Sequence, residues 1–175
     1  FCKWLNSHCS INVKCVENNE QLKAGNVYLA PDNYHFKIAR SHTELVAHLQ
    51  KSEAVSGFCP SINVMFHSIA RTCANNTIAM LLTGMGSDGS QGLLEIKLNK
   101  GHTIIQNPES CVVFGMAGVA QSLGGVDSVV ELDKISEYLV RMVKQPQGNP
   151  SAIVSTGSSP LGEVPFAQQK GKGLF

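Results

Sequence analysis

The chain has 175 residues, of which 43% are hydrophobic and 15% are charged, and its formal net charge is +1 at pH 7. This length is enough for one domain with its own hydrophobic core and too short for two domains that each bury a core of ordinary size. The small net charge does not favour a nucleic acid or an anionic membrane as the partner. The sequence contains no apolar run as long as a membrane span and does not open with a signal-peptide pattern.

Apolar periodicity divides the first part of the chain into short strands and one long helix. The predicted elements are, in chain order, a helix end over 1–6, strands over 11–16, 27–30, 35–38 and 43–49, and a helix over 61–71. Asp32 and Asn33 are turn residues, so the strands on either side of them are predicted to form a β-hairpin. Ser61 is the candidate N-cap of the helix.

Strands and helices alternate in the second part of the chain. The predicted strands are 78–82, 103–106 and 128–131, and the predicted helices are 90–98, 117–122 and 133–143. This alternation indicates a mostly parallel sheet with helices on both faces. We therefore predict an α/β fold, a three-layer Rossmann-like sheet with a β-hairpin insertion, over residues 1–145. Residues 146–175 are rich in proline and glycine and are predicted to be a flexible tail.

The chain has six cysteines, at positions 2, 9, 15, 59, 73 and 111. None belongs to a C-x-x-C pair, and no histidine lies at zinc-finger spacing from a pair of cysteines. Most have apolar neighbours in the sequence. We therefore expect buried, reduced thiols in an intracellular protein and no metal site.

One carboxylate, Asp88, lies in a glycine-rich turn between a predicted strand and a predicted helix, in the segment LLTGMGSDG at 81–89. The glycines let the backbone approach a ligand closely, and the helix N-terminus offers free N–H groups to a developing oxyanion. In α/β sheets such a turn presents a catalytic group at the carboxyl end of a strand. An aspartate there is also a common helix cap, so local chemistry leaves both interpretations open.

Four blocks of the sequence, taken in order, resemble the CheB-type protein-glutamate methylesterases of bacterial chemotaxis. The blocks are GNVYLAP at 25–31, PSINVMFHS at 60–68, LTGMGSDG at 82–89 and QNPESCVVFGM at 106–116. The resemblance implies hydrolysis of glutamyl methyl esters, and deamidation of glutamines, on cytoplasmic segments of chemoreceptors. It implies a Ser-His-Asp triad and no cofactor. It also implies a cytoplasmic protein that takes part in a phosphorelay, with neither nucleic-acid binding nor membrane insertion.

The resemblance also assigns roles to residues of the glycine-rich turn. Asp88 matches the triad aspartate, which orients the catalytic imidazole and stabilises the imidazolium. Met85, with Gly86 beside it, matches the position of a backbone N–H donor to the oxyanion. Gln106, Ser110 and residues 111–116 are expected either to shape the rim of the active site or to pack as an ordinary loop. Asn63 stands where the family has aspartate, on a side expected to face the substrate.

Two motifs of the family have no counterpart in the chain. They are the nucleophile motif GxSTGG and the histidine motif QHMP. We therefore expect an N-terminally truncated domain, inactive by itself, whose receiver domain would lie on a preceding part. The alternatives are a decayed relative that only binds a partner and an unrelated module in which Asp88 is a helix cap. Histidines 35, 42, 67 and 102 are expected to be packed or solvated rather than catalytic.

Ser155 offers a further alternative. The stretch AIVSTGSSP at 152–160 superficially resembles the absent nucleophile motif, and a circular permutation would bring Ser155 near Asp88. The match is three residues long and lies in the proline- and glycine-rich tail, where coincidence is the simpler account.

Overall fold

A computed structural model describes residues 1–144, so the predicted tail and Ser155 lie outside the described residues. The helices and strands are, in chain order, α1 (Cys2–His8), β1 (Asn12–Cys15), β2 (Asn26–Leu29), β3 (His35–Ser41), β4 (Glu44–Gln50), α2 (Ile62–Thr72), β5 (Ile78–Leu81), α3 (Ser90–Leu98), β6 (His102–Gln106), α4 (Met116–Ser122), β7 (Ser128–Val130) and α5 (Ile135–Lys144). Within this range no helix is both long and apolar enough to cross a membrane.

The main sheet is parallel and has the strand order β5–β6–β7. Its side chains alternate between two helical layers, as buried parallel strands require. Leu81 and Ile105 pack with α2, α3 and α4 in one apolar cluster. Met80 and Ile104 point the other way and pack with Ile135 and other residues of α5. The predicted three-layer α/β fold is therefore confirmed.

The β-hairpin is present, but the prediction of its strands was wrong. β3 pairs antiparallel with β4 over seven residues each, from His35 opposite Gln50 to Ser41 opposite Glu44. β2 instead pairs in parallel with β1. Turn residues such as Asp32–Asn33 show where the chain bends, but they do not select which strand it pairs with. The longer ladder, which also buries Phe36 and Ala47, decides the pairing.

The expectation of buried, reduced cysteines was wrong on burial, since none of the six is buried, and wrong on the reduced state for two of them. Cys2 and Cys15 form a disulfide bond that ties α1 to β1, and their Cα atoms are 6.2 Å apart. Cys9 is exposed, and the remaining three cysteines are partly buried rather than core residues. The packing of α1 on β1 brings the bonded pair together across 13 positions of sequence. The separation of two cysteines in the sequence does not by itself indicate that they form a disulfide bond.

Helices α2 and α3 cross closely beside the main sheet. A Cβ atom on Gly92 of α3 would lie only 2.5 Å from Cβ of Phe66 in α2, so the crossing requires glycine at this point. The close contact brings the N-terminus of α2 next to the turn that precedes α3. That placement builds the site described next.

Candidate active site

The turn between β5 and α3 has the strand–turn–helix form that the sequence predicts. Gly86 and Gly89 both have a positive φ, of 92° and 91°. A Cβ atom on Gly89 would lie 2.7 Å from Cγ2 of Ile62 and 2.8 Å from Cδ2 of Leu81. Backbone conformation and close packing both exclude a side chain here. The turn is therefore pressed directly against the start of α2.

Asp88 is only 4% exposed and accepts three hydrogen bonds from the start of α2. Its Oδ1 accepts from the Ser61 hydroxyl at 2.8 Å and from the Asn63 N–H at 3.0 Å. Its Oδ2 accepts from the Ile62 N–H at 2.7 Å. Asp88 is thus a helix cap, but it caps α2 across the fold rather than the helix that follows it. The N-cap of α3 is Gly89, without a side-chain hydrogen bond.

The cap leaves Asp88 with unused hydrogen-bonding capacity. A carboxylate offers about four lone-pair positions, two on each oxygen. Donors of α2 occupy both positions on Oδ1 and one on Oδ2. One position on Oδ2 therefore remains for a further donor, such as an imidazole N–H. Capping α2 and orienting a catalytic histidine are compatible roles for this carboxylate.

Asn63 completes a reciprocal arrangement between the two helices. Its side-chain oxygen accepts from the Gly92 N–H of α3 at 2.9 Å, while Asp88 just before α3 accepts from the first residues of α2. Each helix N-terminus is therefore capped by a side chain from the other. The amide oxygen of Asn63 is used inside the fold, where the sequence had suggested a substrate-facing residue.

The loop after β6 runs alongside the turn and is bonded to it through Thr83 and Gly84. The Thr83 hydroxyl and the Gly84 N–H both donate to the Val113 carbonyl, at 3.1 and 3.0 Å. The Val113 N–H donates back to the Thr83 hydroxyl at 2.9 Å, and the Gly115 N–H donates to the Gly84 carbonyl at 3.1 Å. These bonds hold the turn in one position relative to the sheet.

Two roles were left open for the segment from Gln106 onwards, and Gln106, at the end of β6, and Ser110 take the internal one. Gln106 is 1% exposed; its side-chain oxygen accepts from the Thr83 N–H and its amide donates to the Ser110 carbonyl. Val112 is by contrast 91% exposed at the rim. Partial burial raises the pKa of the Cys111 thiol, so this sulfur stays protonated at neutral pH and is a poor nucleophile.

Free donors lie in the turn that contains Asp88. The backbone N–H groups of residues 85–89, including Met85 and Gly86, donate no hydrogen bond to any residue in the part of the chain that the structure describes. The Met85 side chain is 81% exposed, so the turn opens to solvent at this point. Unpaired N–H groups in a rigid, accessible turn are suited to bind a negatively charged oxygen.

Serine and histidine do occur close to Asp88, but their hydrogen bonds are not those of a triad. The Ser61 hydroxyl donates to Asp88 itself, and the His35 ring contacts the Ser61 backbone N–H rather than its hydroxyl. Both side chains are buried, at 2% and 1% exposure. A nucleophilic serine needs its hydroxyl bonded to the imidazole and open to substrate. Neither neighbour was predicted to lie at the site, since the local sequence marks this region only through the N-cap signal at Ser61.

The other histidines lie elsewhere. His67 of α2 binds Glu95 of α3 at 2.6 Å, His102 binds the Tyr138 hydroxyl at 3.0 Å, and His42 lies in the exposed β3–β4 turn. Among residues 1–144, no histidine is hydrogen-bonded to Asp88, and no group of three or more histidine, cysteine or acidic side chains could hold a metal ion. The described residues thus bring together the predicted acid and the predicted oxyanion donors without a base.

Comparison with known proteins shows which family this chain resembles. Residues 1–139 match the sequence model of the CheB methylesterase family. A protein-glutamate methylesterase/protein-glutamine glutaminase of Yersinia pestis bv. Antiqua is 40% identical over 147 residues, 84% of this chain and 42% of the relative. One named protein-glutamate methylesterase/protein-glutamine glutaminase 2, from Syntrophus aciditrophicus, is 41% identical over 143 residues, with 82% and 42% covered.

A solved structure resembles the fold as well as the sequence. The crystal structure of the Thermotoga maritima CheB methylesterase catalytic domain aligns with a TM-score of 0.77 and 33% identity. The alignment covers 81% of this chain and 75% of that domain. The chain spans 42% of the length of the curated relatives it matches.

Proposed function

This chain belongs to the CheB methylesterase family, and from that premise we propose that it supplies the acid and the oxyanion donors of an esterase site. The site hydrolyses glutamyl methyl esters, and deamidates glutamines, on cytoplasmic segments of chemoreceptors. One observation carries the proposal: within residues 1–144, buried Asp88 keeps one acceptor position open in the same turn that holds the unpaired N–H groups of Met85 and Gly86. That open position favours a catalytic role over a module that only binds a partner.

The proposed reaction is acyl transfer in two steps. A serine hydroxyl attacks the side-chain carbonyl of the substrate while a histidine takes its proton, and Asp88 holds the imidazole through the open position on Oδ2. The Met85 and Gly86 N–H groups bind the oxyanion that forms. As the tetrahedral intermediate collapses, the imidazolium protonates the departing methoxide oxygen, which leaves as methanol, or the departing amide nitrogen of a glutamine, which leaves as ammonia. Water attacks the acyl-serine in the same way and releases a glutamate carboxylate.

The serine and histidine of this reaction are not identified in the chain. The family motifs GxSTGG and QHMP do not occur in its 175 residues. We therefore propose that these residues do not hydrolyse the ester alone and that a segment carrying both motifs completes the site. Control by phosphorylation would similarly come from a receiver domain outside residues 1–175, and the protein would act in the cytoplasm, where the methylated receptor segments lie.

Fragment complementation tests the proposal. Methanol release from a methylated chemoreceptor is measured for the chain alone and after addition of the nucleophile- and histidine-bearing segment of the Thermotoga relative. We expect release only from the mixture, and Asp88→Asn in the chain should lower it about 10⁴-fold. Asp127→Asn is the matched control, because Asp127 is also hydrogen-bonded but lies at the opposite edge of the sheet.

Two outcomes would contradict the proposal. A complemented site that works equally well with Asp88→Asn would show that Asp88 only caps α2. Hydrolysis by the chain alone would show that it already contains a nucleophile. If that activity were lost in Ser155→Ala, the circularly permuted arrangement would replace the complemented one.

A further inference from the structure

We infer that His35 is a positioning residue for Asp88 and acts on it through the backbone of Ser61. The hydrogen bonds of His35 can be tested whether or not the chain takes part in catalysis. The effect of His35 on the reaction rests on the proposed function. His35 lies at the start of β3, outside the glycine-rich turn, and takes no part in the reaction outlined above.

The hydrogen bonds of His35 define one state of its ring. Nδ1 lies 3.2 Å from the backbone nitrogen of Ser61, and Nε2 lies 3.0 Å from the carbonyl oxygen of Glu53. A backbone N–H only donates, so Nδ1 must be the acceptor; a carbonyl only accepts, so Nε2 must carry the proton. The ring is therefore neutral, with its proton on Nε2, and acts on its neighbours through geometry rather than charge.

The ring satisfies a donor that α2 leaves without a partner. Ser61 is the N-cap of α2, and its own N–H lies outside the helical hydrogen bonds. In a capping box a glutamate or glutamine three residues later accepts from this N–H, but here that position is Val64. His35 accepts from it instead. An unpaired N–H at this buried position would be costly, so the imidazole fixes where the Ser61 backbone lies.

The position of Ser61 in turn determines where the donors to Asp88 point. The Ser61 hydroxyl binds Oδ1 at 2.8 Å, and the next two N–H groups of the chain, of Ile62 and Asn63, bind Oδ2 and Oδ1. The positions of all three donors depend on the backbone at Ser61, which His35 holds in place. A shift of Ser61 would therefore rotate the carboxylate and move the open position on Oδ2 that the proposed reaction uses.

Two near-isosteric substitutions separate this role from ordinary packing. In His35→Asn the side-chain oxygen lies near the place of Nδ1, so it can accept from Ser61 but cannot reach Glu53. In His35→Gln an amide N–H lies near the place of Nε2, so it can donate to Glu53 but cannot accept from Ser61. Each variant loses one of the two hydrogen bonds, so their effects on global stability should be similar.

The readout is amide hydrogen exchange in the full chain, followed by NMR. We expect the N–H groups of Ile62 and Asn63 to exchange about tenfold faster in His35→Gln and to stay near the wild-type rate in His35→Asn. In the complemented enzyme, His35→Gln should lower kcat about tenfold at unchanged KM, and His35→Asn should retain most of kcat. Equal exchange rates in the two variants would overturn the inference.

The two proposals fail in different ways. Faster exchange in His35→Gln with unchanged kcat would support the positioning of Asp88 by His35 and contradict the catalytic role of Asp88. A measurement on the unaltered chain covers the case in which neither variant folds. The ¹⁵N spectrum of His35 should show a protonated Nε2 and an unprotonated Nδ1 that is hydrogen-bonded to the Ser61 N–H. The opposite tautomer would overturn the inference.

Discussion

The two edges of the β5–β6–β7 sheet each hold an aspartate that accepts hydrogen bonds, and they differ in what else surrounds it. At the carboxyl edge, Asp88 accepts from three uncharged donors of α2 and forms no ion pair with any residue in 1–144. At the amino edge, Asp127 accepts from the Thr103 N–H and hydroxyl, both at 2.9 Å, and faces the Lys97 ammonium at 3.3 Å. Only Asp127 has its charge balanced by a neighbour.

The other polar groups follow the same division. At the amino edge, the Tyr138 hydroxyl binds both His102 and Ser128, at 3.0 and 2.7 Å. Ser128, His102 and Asp127 are thus neighbours, but 3.9 Å separates the imidazole from the carboxylate, which is too long for a triad hydrogen bond. At the carboxyl edge, backbone donors of the turn find no partner among residues 1–144. Polar groups that satisfy one another, as at the amino edge, stabilise the fold, whereas a reactive site needs groups whose hydrogen bonds are still unmade.

The largest expected difference concerns the two aspartates. Asp88→Ala should lower the free energy of unfolding by about 3 kcal/mol, because it strands the buried Ser61 hydroxyl and two helix N–H groups. Asp127→Ala should cost about 1 kcal/mol, because its side chain is 29% exposed and water can replace it. Urea denaturation of both variants measures the two values. A larger loss for Asp127→Ala would reverse the comparison.

Each edge has a glycine with positive φ, and replacing each by alanine compares how strongly the backbone is constrained there. Gly89→Ala should cost about 2 kcal/mol, because left-handed strain adds to the clash with Ile62 and Leu81. Gly124 precedes β7 at the amino edge and has a φ of 77° with nothing within 4 Å of its would-be Cβ. Gly124→Ala should therefore show strain alone, about 1 kcal/mol. Equal shifts in Tm would show that the turn at Gly89 can relax.

The closed edge should also respond to pH. Burial lowers the pKa of His102, and the Asp127 carboxylate partly opposes that effect. The unfolded chain has the higher pKa, about 6.5. Stability from this group is therefore complete above that value and is lost as the pH falls through the folded-state pKa. Unfolding free energies measured at several pH values should fall on acidification, and His102→Gln should flatten the slope.

The matched control for that pH series is a substitution of His42, which lies exposed in the β3–β4 turn. His42→Gln should leave the slope unchanged, because the ring is exposed and forms no hydrogen bond within residues 1–144. A slope that flattens equally in both variants would assign the pH dependence to general charge effects instead of the amino-edge network.

The smallest expected effect is at the open rim. Val112 is 91% exposed, so Val112→Ser should change the free energy of unfolding by less than about 0.5 kcal/mol. Ser128→Ala at the closed edge should cost about 1 kcal/mol, because it removes the hydrogen bond to Tyr138. Thermal unfolding distinguishes the two. A strongly destabilised Val112→Ser would mean that the rim packs against part of the chain.

Local patterns in the sequence predicted most of the second half of the fold. The helix over 90–98 was predicted at its observed bounds, and the strands that became β5, β6 and β7 were placed to within one residue at each end. These elements follow from periodicity because each buries one face against a neighbour. The hairpin partners and the Cys2–Cys15 bond were wrong or missed, since both depend on which distant segments pack together.

The candidate site divides in the same way. The residues of the turn alone indicated a carboxylate held in a glycine-rich bend at the end of a strand, and the family resemblance added Met85 and Gly86 as expected oxyanion donors. Only the tertiary structure decided that Asp88 caps α2, that Asn63 caps α3 in return, and that His35 holds Ser61. The physical reason is the sequence separation between the residues that interact. Turn conformation depends on adjacent residues, whereas hydrogen-bond partners 25 or more positions away depend on how α2 and α3 cross.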